Sequence, residues 1–591
     1  MYVAPVRDIS FALGKVAGLD AAIDAGLMGD LSHDVVDAIL EEAGKFAAEE
    51  IAPLGESGER EGAKFSAGSV TMPAGWKDLY ARWSQAGWNA LTGPESHGGQ
   101  GLPTALSAAV TEMWNGASMA FAIGPTLTIG AVDALEKHGS DHLKATYLDK
   151  LVSGEWMGTM NLTEPQAGSD LSALRTRAER ADDGTYRIFG QKIFITYGEH
   201  DLTENIVHLV LARLPDAPAG VKGISLFLVP KRLVNEDGSL GERNDVRCHS
   251  IEHKMGIHGS PTCTMIYGDD GAGAVGWLVG EENKGLACMF TMMNSARLYV
   301  GIQGLGVAEA ATQKALAYAK ERRQGRSTLL AKKPEPSNQM SPIIEHADVA
   351  RMLLTMKALT GSARAIAYAC GHAIDMMRVH EGDDAKRWSE RAGLLTPLAK
   401  AFPTDVGVEV ASLGIQVHGG MGYIEETGAA RYLRDARIAT IYEGTNGIQS
   451  IDLVTRKLPL SDGAAVKAYI DELAAVAEDV RASNRDGLGR TAECLSTALS
   501  DLRETTDFLL EALRAKRMDE ALAGATAYLR LFSLVAGASY LAKGAIADSD
   551  GEARTALARF AAENLLVEVG ALKGQVLTGA ASLDAARVAL A

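Results

Sequence analysis

The apolar residues of this 591-residue chain change their spacing twice, and that change limits what the chain can fold into. From about residue 30 to 157 they recur every three or four positions; Val35, Val36, Ile39, Leu40 and Phe46 form one series, and Trp76, Leu79, Tyr80 and Trp83 another. This period puts apolar side chains on one face of a helix. Near residue 158 the period falls to two. Segments 186–196, 206–212, 223–229 and 262–267 read as strands, parted by the turns Asp182-Asp-Gly184, Pro215-Asp-Ala-Pro218 and Glu236-Asp-Gly238. Helical spacing returns near Gly285 and runs to about 457. Leu458-Pro-Leu-Ser-Asp-Gly463 then reads as a linker, and Leu522, Ala525, Leu529 and Phe532 mark alanine-rich helices beyond it. The expected fold class is α+β, mainly α. Its blocks are an N-terminal helical domain (1–157), a middle β domain (158–284), a helical bundle (285–460) and an additional C-terminal helical domain (461–591).

A chain of this length can bury a large cofactor, and its charge narrows the partners. A net charge of -17 argues against nucleic acid and against an anionic membrane. The last block, with 19 acidic and 14 basic residues from 460 to 591, is no nucleic-acid-binding tail. Cys248, Cys263, Cys288, Cys370 and Cys494 are scattered without ligand spacing, so they read as core fillers in a reducing compartment, with no metal site. The N-terminus lacks the apolar run of a secretory signal, and a cytoplasmic location is expected. Residues 113–132 carry no charge over 20 positions, long enough for a bilayer. Asn115, Gly116, Ser118, Gly124 and Pro125 break that stretch, so we expect a buried helix, a turn and a second helix rather than a membrane span. The stretch from Ser327 to Pro342, with Pro334 and Pro336, reads as a surface excursion.

Two stretches carry chemistry. In the first, Gln416-Val-His-Gly-Gly-Met-Gly-Tyr423, glycines follow a helical run, where bare backbone can turn and let a ligand approach its N–H groups; the plain alternative is a helix C-cap. Farther on, Glu443 stands between Ile441, Tyr442 and Ile448, with no basic residue nearer in sequence than Arg437. Burial there would raise its pKa toward the range of a general base. The second stretch, Met160-Asn-Leu-Thr-Glu-Pro-Gln-Ala-Gly-Ser-Asp170, opens the β domain. Thr163 and Ser169 offer hydroxyls, and Ala167-Gly168 can turn N–H groups toward an anion or a carbonyl. Gly93-Pro-Glu-Ser-His-Gly-Gly-Gln-Gly-Leu-Pro103 is a loop between helices that serves equally as plain connection or as pocket border.

QxxGGxGY, RxLRDARI (431–438) and IYEGTxxIQ (441–449), together with the 160–170 string, closely resemble the signatures of the acyl-CoA dehydrogenase family. The resemblance covers nearly the whole chain. It implies an FAD enzyme in which Glu443 removes the α-proton of an acyl-CoA while the flavin takes the β-hydrogen, giving a trans-2-enoyl-CoA, with electrons passed to electron-transferring flavoprotein. Met160, Leu162, Thr163, Gly168 and Ser169 would line the flavin, Ser169 also lying near the substrate. Phe194, Ile195 and Thr196 would cover the isoalloxazine, Phe194 replacing a common Trp. Arg322, His346, Gln416, Gly419, Gly420 and Thr445 would bind the nucleotide, Arg322 reaching the diphosphate of the neighbouring subunit. Asn294, read as a helix N-cap, Arg297, Tyr442 and Gly444 would border the substrate. Some relatives carry their glutamate at the position of Ala296, so Glu443 has no competitor here.

The proline-rich insertion and the extension resemble a large bacterial branch of the family, one that handles methylthio-substituted as well as straight acyl chains. A homodimer is expected, with the last domain covering the surface on which shorter relatives form tetramers. The alternatives on this fold are a flavin-binding DNA-associated stress protein, whose basic C-terminal region is missing here, and an acyl-CoA oxidase.

Overall fold

The computed structural model describes residues 2–327, 339–548 and 550–591. Contacts gather the chain into two units. One takes the chain up to Lys45, Pro103–Gly116 and Arg297–Ala591; the other takes Phe46–Leu102 and Ala117–Ala296. The N-terminal helical block is therefore shared between the two, a division that the period of its apolar residues does not reveal.

The second unit is built on an eight-stranded sheet. Its strands are β1 (Met157–Asn161), β2 (Arg177–Arg180), β3 (Tyr186–Thr196), β4 (Ile206–Arg213), β5 (Ile224–Pro230), β6 (Val246–Ile251), β7 (Thr262–Tyr267) and β8 (Ala274–Val279). They lie in the order β6-β7-β3-β8-β5-β4-β1, with β2 pairing β3 and β4. β1 runs parallel to β4, while β3, β5, β7 and β8 pair antiparallel with their neighbours. The four segments with clear alternation or apolar runs form β3, β4, β5 and β7. The other four escape a reading by period. β2, for example, is Arg-Ala-Glu-Arg and buries only Ala178, so its partners hold it in the sheet rather than its own side chains. β5 is buried along its whole length; Leu226 and Leu228, with Leu209 and Leu211 of β4, join Leu135, Leu148, Leu151 and Trp156 in one core.

Helix α1 (Thr104–His138) contains the uncharged stretch, and Ser118, at φ -160° and ψ 101°, breaks it into two helices as expected. α1 and Ala525–Ala547 are long and apolar enough to cross a membrane, but 89% and 78% of their apolar windows are buried in the protein. Both act as core helices. Asn294 differs from its expected place: it sits inside helix α2 (Gly285–Glu321), not at an N-cap. Met289 and Met292 are fully buried, and their packing carries the helix back to Gly285, where a Cβ would lie 2.1 Å from the Leu226 nitrogen.

The first unit contains most of α2, with α3 (Ala347–Val379), α4 (Gly382–His418), α5 (Ala429–Ala439), α6 (Asn446–Asp452) and α7 (Ala525–Ala547). Asp375 of α3 accepts the Thr104 and Ala105 N–H groups at 2.7 and 2.9 Å, so a carboxylate from another helix caps α1. Glu112, wholly buried, takes Arg364 Nε at 3.0 Å and the Tyr368 hydroxyl, and Arg364 also reaches Glu309 at 2.8 Å. α2 and α4 meet backbone to backbone. A Cβ on Gly301 would lie 1.7 Å from the Ala399 oxygen, a carbonyl left without its helical donor because Pro403 has no N–H.

Residues 460–463 form the linker turn, with Ser461, Asp462 and Gly463 all at positive φ (47°, 56° and 89°). Beyond it, α7 buries Leu529 and Phe532 and packs on α3, where a Cβ on Gly537 would come 2.5 Å from the Ser362 Cβ. Leu522 belongs to a separate short helix, Met518–Ala523, because Gly524 intervenes. Four of the cysteines are buried; Cys494 is only half-buried and so is no core filler. Pro334 and Pro336 lie outside the described residues. The flanks of their stretch are tied by Gln324 N–H to the Ser341 oxygen at 3.1 Å and Ser341 N–H to the Gly325 oxygen at 2.9 Å.

Candidate active site

Glu443 occupies a bend between α5 and α6 with φ 55°, a left-handed conformation that costs a non-glycine residue roughly 1 kcal/mol. The surrounding fold holds it there. Gly444 follows at φ 82°, and a Cβ on it would meet Gln449 Nε2 at 2.9 Å. That same Gln449 amide donates to the Glu443 carbonyl at 3.2 Å, while its buried Oε1 has no partner among the described residues. The Glu443 N–H makes no hydrogen bond among the described residues, which leaves it free to donate to a ligand.

The Glu443 side chain opens partly to the surface, yet dense packing around the carboxylate strips its water and pushes its pKa up to about 7. Two cations oppose that rise, Arg297 of α2 and then Lys400 of α4. Neither is near in sequence. The expectation that no basic residue approached closer than Arg437 holds along the chain and fails in space, because the Gly301 contact brings α2 and α4 together one helical turn past Arg297. Arg297 is buried; its Nη1 donates to Asp452 at 3.4 Å, and its buried Nε has no partner among the described residues. Tyr442 donates its hydroxyl to Gln303. The Thr445 hydroxyl caps α6 by accepting the Ile448 N–H at 3.2 Å, so its side chain already has structural work.

The other nucleotide candidates of this unit gather at the ends of α2 and α4. Tyr318 stacks on His418 with ring centroids 4.4 Å apart, which ties the segment carrying Arg322 to the one carrying Gln416, Gly419 and Gly420. Arg322, Gln416 and both glycines are exposed, and nothing lies within 4 Å of where a Cβ on Gly419 or Gly420 would sit. His346 joins this end through Nε2 and the Gln324 oxygen at 2.7 Å. Met421, Tyr423 and Ile424 expose apolar surface beside it, Tyr423 to 87%.

In the β unit, the 160–170 strap is locked from below. Glu164 pairs with Ala167 in a tight turn, and its buried carboxylate takes Lys192 Nζ at 2.8 Å, the Thr176 hydroxyl at 2.6 Å and the Arg175 N–H at 2.7 Å. Lys192, itself fully buried, also donates to the Leu162 oxygen at 3.0 Å. The lock leaves Gly168 and Ser169 exposed, with open space where a Gly168 side chain would be. Met160 and Leu162 are half-buried and pack against the core. Phe194 combines φ 61° with 59% exposure, a strained backbone position whose aromatic ring is held out of the core. Ile195 is buried and offers only backbone, while Thr196 is half-buried. Within this unit the exposed Phe194 ring and the open main chain at Gly168 suit a planar flavin, and in the other unit Arg322, exposed and with no side-chain hydrogen-bond partner among the described residues, offers a guanidinium fork that suits a diphosphate.

Three of the structure's contributors were missed from sequence. Lys400, Asn446 and the Glu164–Lys192 pair all act through contacts between distant segments. Only Lys400 left a signal, as a lone charge in the apolar run Leu398-Ala-Lys-Ala-Phe402 between two prolines.

Family models for the acyl-CoA dehydrogenases match along the chain. The N-terminal domain matches residues 34–155, the middle domain 159–269, the C-terminal domain 283–334 and 335–458, and an acetyl-CoA dehydrogenase C-terminal-like domain 466–586. The chain belongs to the acyl-CoA dehydrogenase family and is an oxidoreductase. It is 47% identical to the 3-methylmercaptopropionyl-CoA dehydrogenase of Ruegeria pomeroyi, over 96% of this chain and 97% of that one. A butyryl-CoA dehydrogenase of Syntrophomonas wolfei is 38% identical over 80% of this chain and 78% of its own. The fold also resembles the crystal structure of an acyl-CoA dehydrogenase complexed with FAD from Bacillus anthracis, with TM-score 0.72, 22% identity, and 93% and 89% of the two chains covered.

Proposed function

We propose that the chain dehydrogenates an acyl-CoA thioester, 3-methylmercaptopropionyl-CoA first among candidates and straight short- or medium-chain substrates next. The observation that carries the reaction is Glu443, a partly accessible carboxylate whose pKa of about 7 suits a base at neutral pH. The substrate preference rests on 47% identity sustained over 96% of the chain, extension included.

In this reading the Glu443 carboxylate takes the α-proton, and its strained backbone turns the uncommitted N–H toward the thioester oxygen, where negative charge grows as the proton leaves. Bound FAD supplies the acceptor for the β-hydrogen and its electron pair. The Glu164–Lys192 lock holds the strap so that Gly168 and Ser169 meet the cofactor without first having to be ordered. Phe194 offers its ring to the isoalloxazine, and Arg322 with Gln416, Gly419 and Gly420 receives the nucleotide of a neighbouring subunit. The apolar surface at Met421, Tyr423 and Ile424 supports a homodimer, and the packing of α7 on α3 supports the last domain as the element that stops assembly there. Electron-transferring flavoprotein is the proposed acceptor and the cytoplasm the proposed compartment.

The test is anaerobic bleaching of the yellow protein by a panel of acyl-CoAs. Fastest bleaching by the methylthio thioester is expected; no bleaching by any short or medium acyl-CoA refutes the reading. Light scattering of the flavin-loaded protein should give a dimer, and a flavin-loaded monomer refutes the shared nucleotide site.

A further inference from the structure

Lys400 is fully buried in the middle of α4, between Pro397 and Pro403. An ammonium there has lost its water, and among the described residues it has a single hydrogen-bond acceptor, Asn446 Oδ1 at 2.8 Å. Asn446 is the first residue of α6 and stands three positions after Glu443. It is held on every side: its Nδ2 donates to Asp405 Oδ1 at 2.7 Å, to the Thr404 hydroxyl at 2.9 Å and to the Ala401 oxygen at 3.2 Å. The loop that carries Glu443 is thus moored to α4 through one amide, and a cation lies behind the mooring.

We propose that Lys400 is a positioning residue for the base: through Asn446 it fixes the start of α6 and places a buried cation behind the loop that carries Glu443. The inference rests on the reading of Glu443 as the proton acceptor. The charged and titratable groups around that carboxylate are few. From α2 comes Arg297, whose charge is shared with Asp452, itself paired with Arg456 and near Lys457. From α4 comes Lys400, which feels Glu443 and then Asp405, the latter tied to Asn446 and driven toward its neutral form by burial. From its own loop comes Tyr442, whose hydroxyl burial keeps protonated. Arg297 is the stronger of the two cations acting on Glu443, and Lys400 is the one with the mechanical link to its loop. The pKa of Lys400 is itself lowered to about 8 by desolvation and partly restored by Glu443, so each charge supports the other.

The experiment measures the rate of flavin reduction by acyl-CoA against pH in the holoenzyme, for wild type, Lys400→Met and Lys400→Gln. Met removes charge and hydrogen bond while keeping the length; Gln keeps a donor for Asn446. Both variants should carry flavin and show the apparent pKa of reduction displaced upward, because a neighbouring cation no longer favours the carboxylate. The Gln variant should keep the higher limiting rate, since its amide still moors the loop. An unmoved pKa in both variants overturns the proposal, and so does failure of both to fold as flavoproteins, which would make Lys400 structural only. Glu443→Gln in the same assay separates the two readings: near-normal reduction there removes the base assignment itself, whereas abolished reduction with unmoved Lys400 profiles removes only the role of Lys400.

Discussion

Replacing Glu443 by Gln keeps the shape of the side chain and removes its ability to take a proton, and the structure assigns two separate consequences to that change. The first is kinetic. With a pKa of about 7, about one tenth of the carboxyl is ionised at pH 6 and about nine tenths at pH 8, so flavin reduction in the wild type should rise close to tenfold across that range. The variant should lose at least ~10²–10⁴-fold in that rate and show no such rise. The second is thermodynamic. The folded pKa lies above the ordinary 4.5, so the fold favours the protonated form; that contribution is whole below pH 4.5 and is lost as pH climbs through 7. A shift from 4.5 to about 7 corresponds to roughly 3 kcal/mol, less some screening because the side chain is partly open. Glu443→Gln should therefore melt a few degrees above wild type at pH 8 and together with it at pH 4.5. Stopped-flow bleaching and thermal melts at several pH values measure both. Near-normal reduction in the variant, or a melting gap that does not depend on pH, would refute the reasoning.

Arg322→Ala should yield protein depleted of FAD, since a diphosphate would lose a bidentate charged partner worth roughly 1.5–3 kcal/mol; full flavin occupancy in dilute solution counts against that role. Gly301→Ala should destabilise by at least ~1–3 kcal/mol, because its Cβ would fall 1.7 Å from the Ala399 oxygen and neither backbone can yield cheaply. An unchanged denaturation midpoint would show that the helices part more easily than this contact implies.

The order of helical and alternating segments and the two motif strings were legible in the sequence, because each depends on neighbours along the chain. Period and turn residues act over a few positions, and a motif is local by construction. The 160–170 stretch at the entry to the β domain was located in this way, as were β3 and β7 to their end residues.

What only the tertiary structure decided concerns contacts between distant segments. β2 has no apolar period and exists because β3 and β4 pair with it. Asn294 looks like a cap in sequence and is helix interior because buried methionines extend α2 past it. The charge environment of Glu443 could not be read along the chain either. Arg297 and Lys400 lie 146 and 43 residues before it (443 − 297 and 443 − 400), and bare glycine at 301 lets their two helices touch. Electrostatic energy depends on distance through space and on the water excluded between charges, and neither is written in the order of residues.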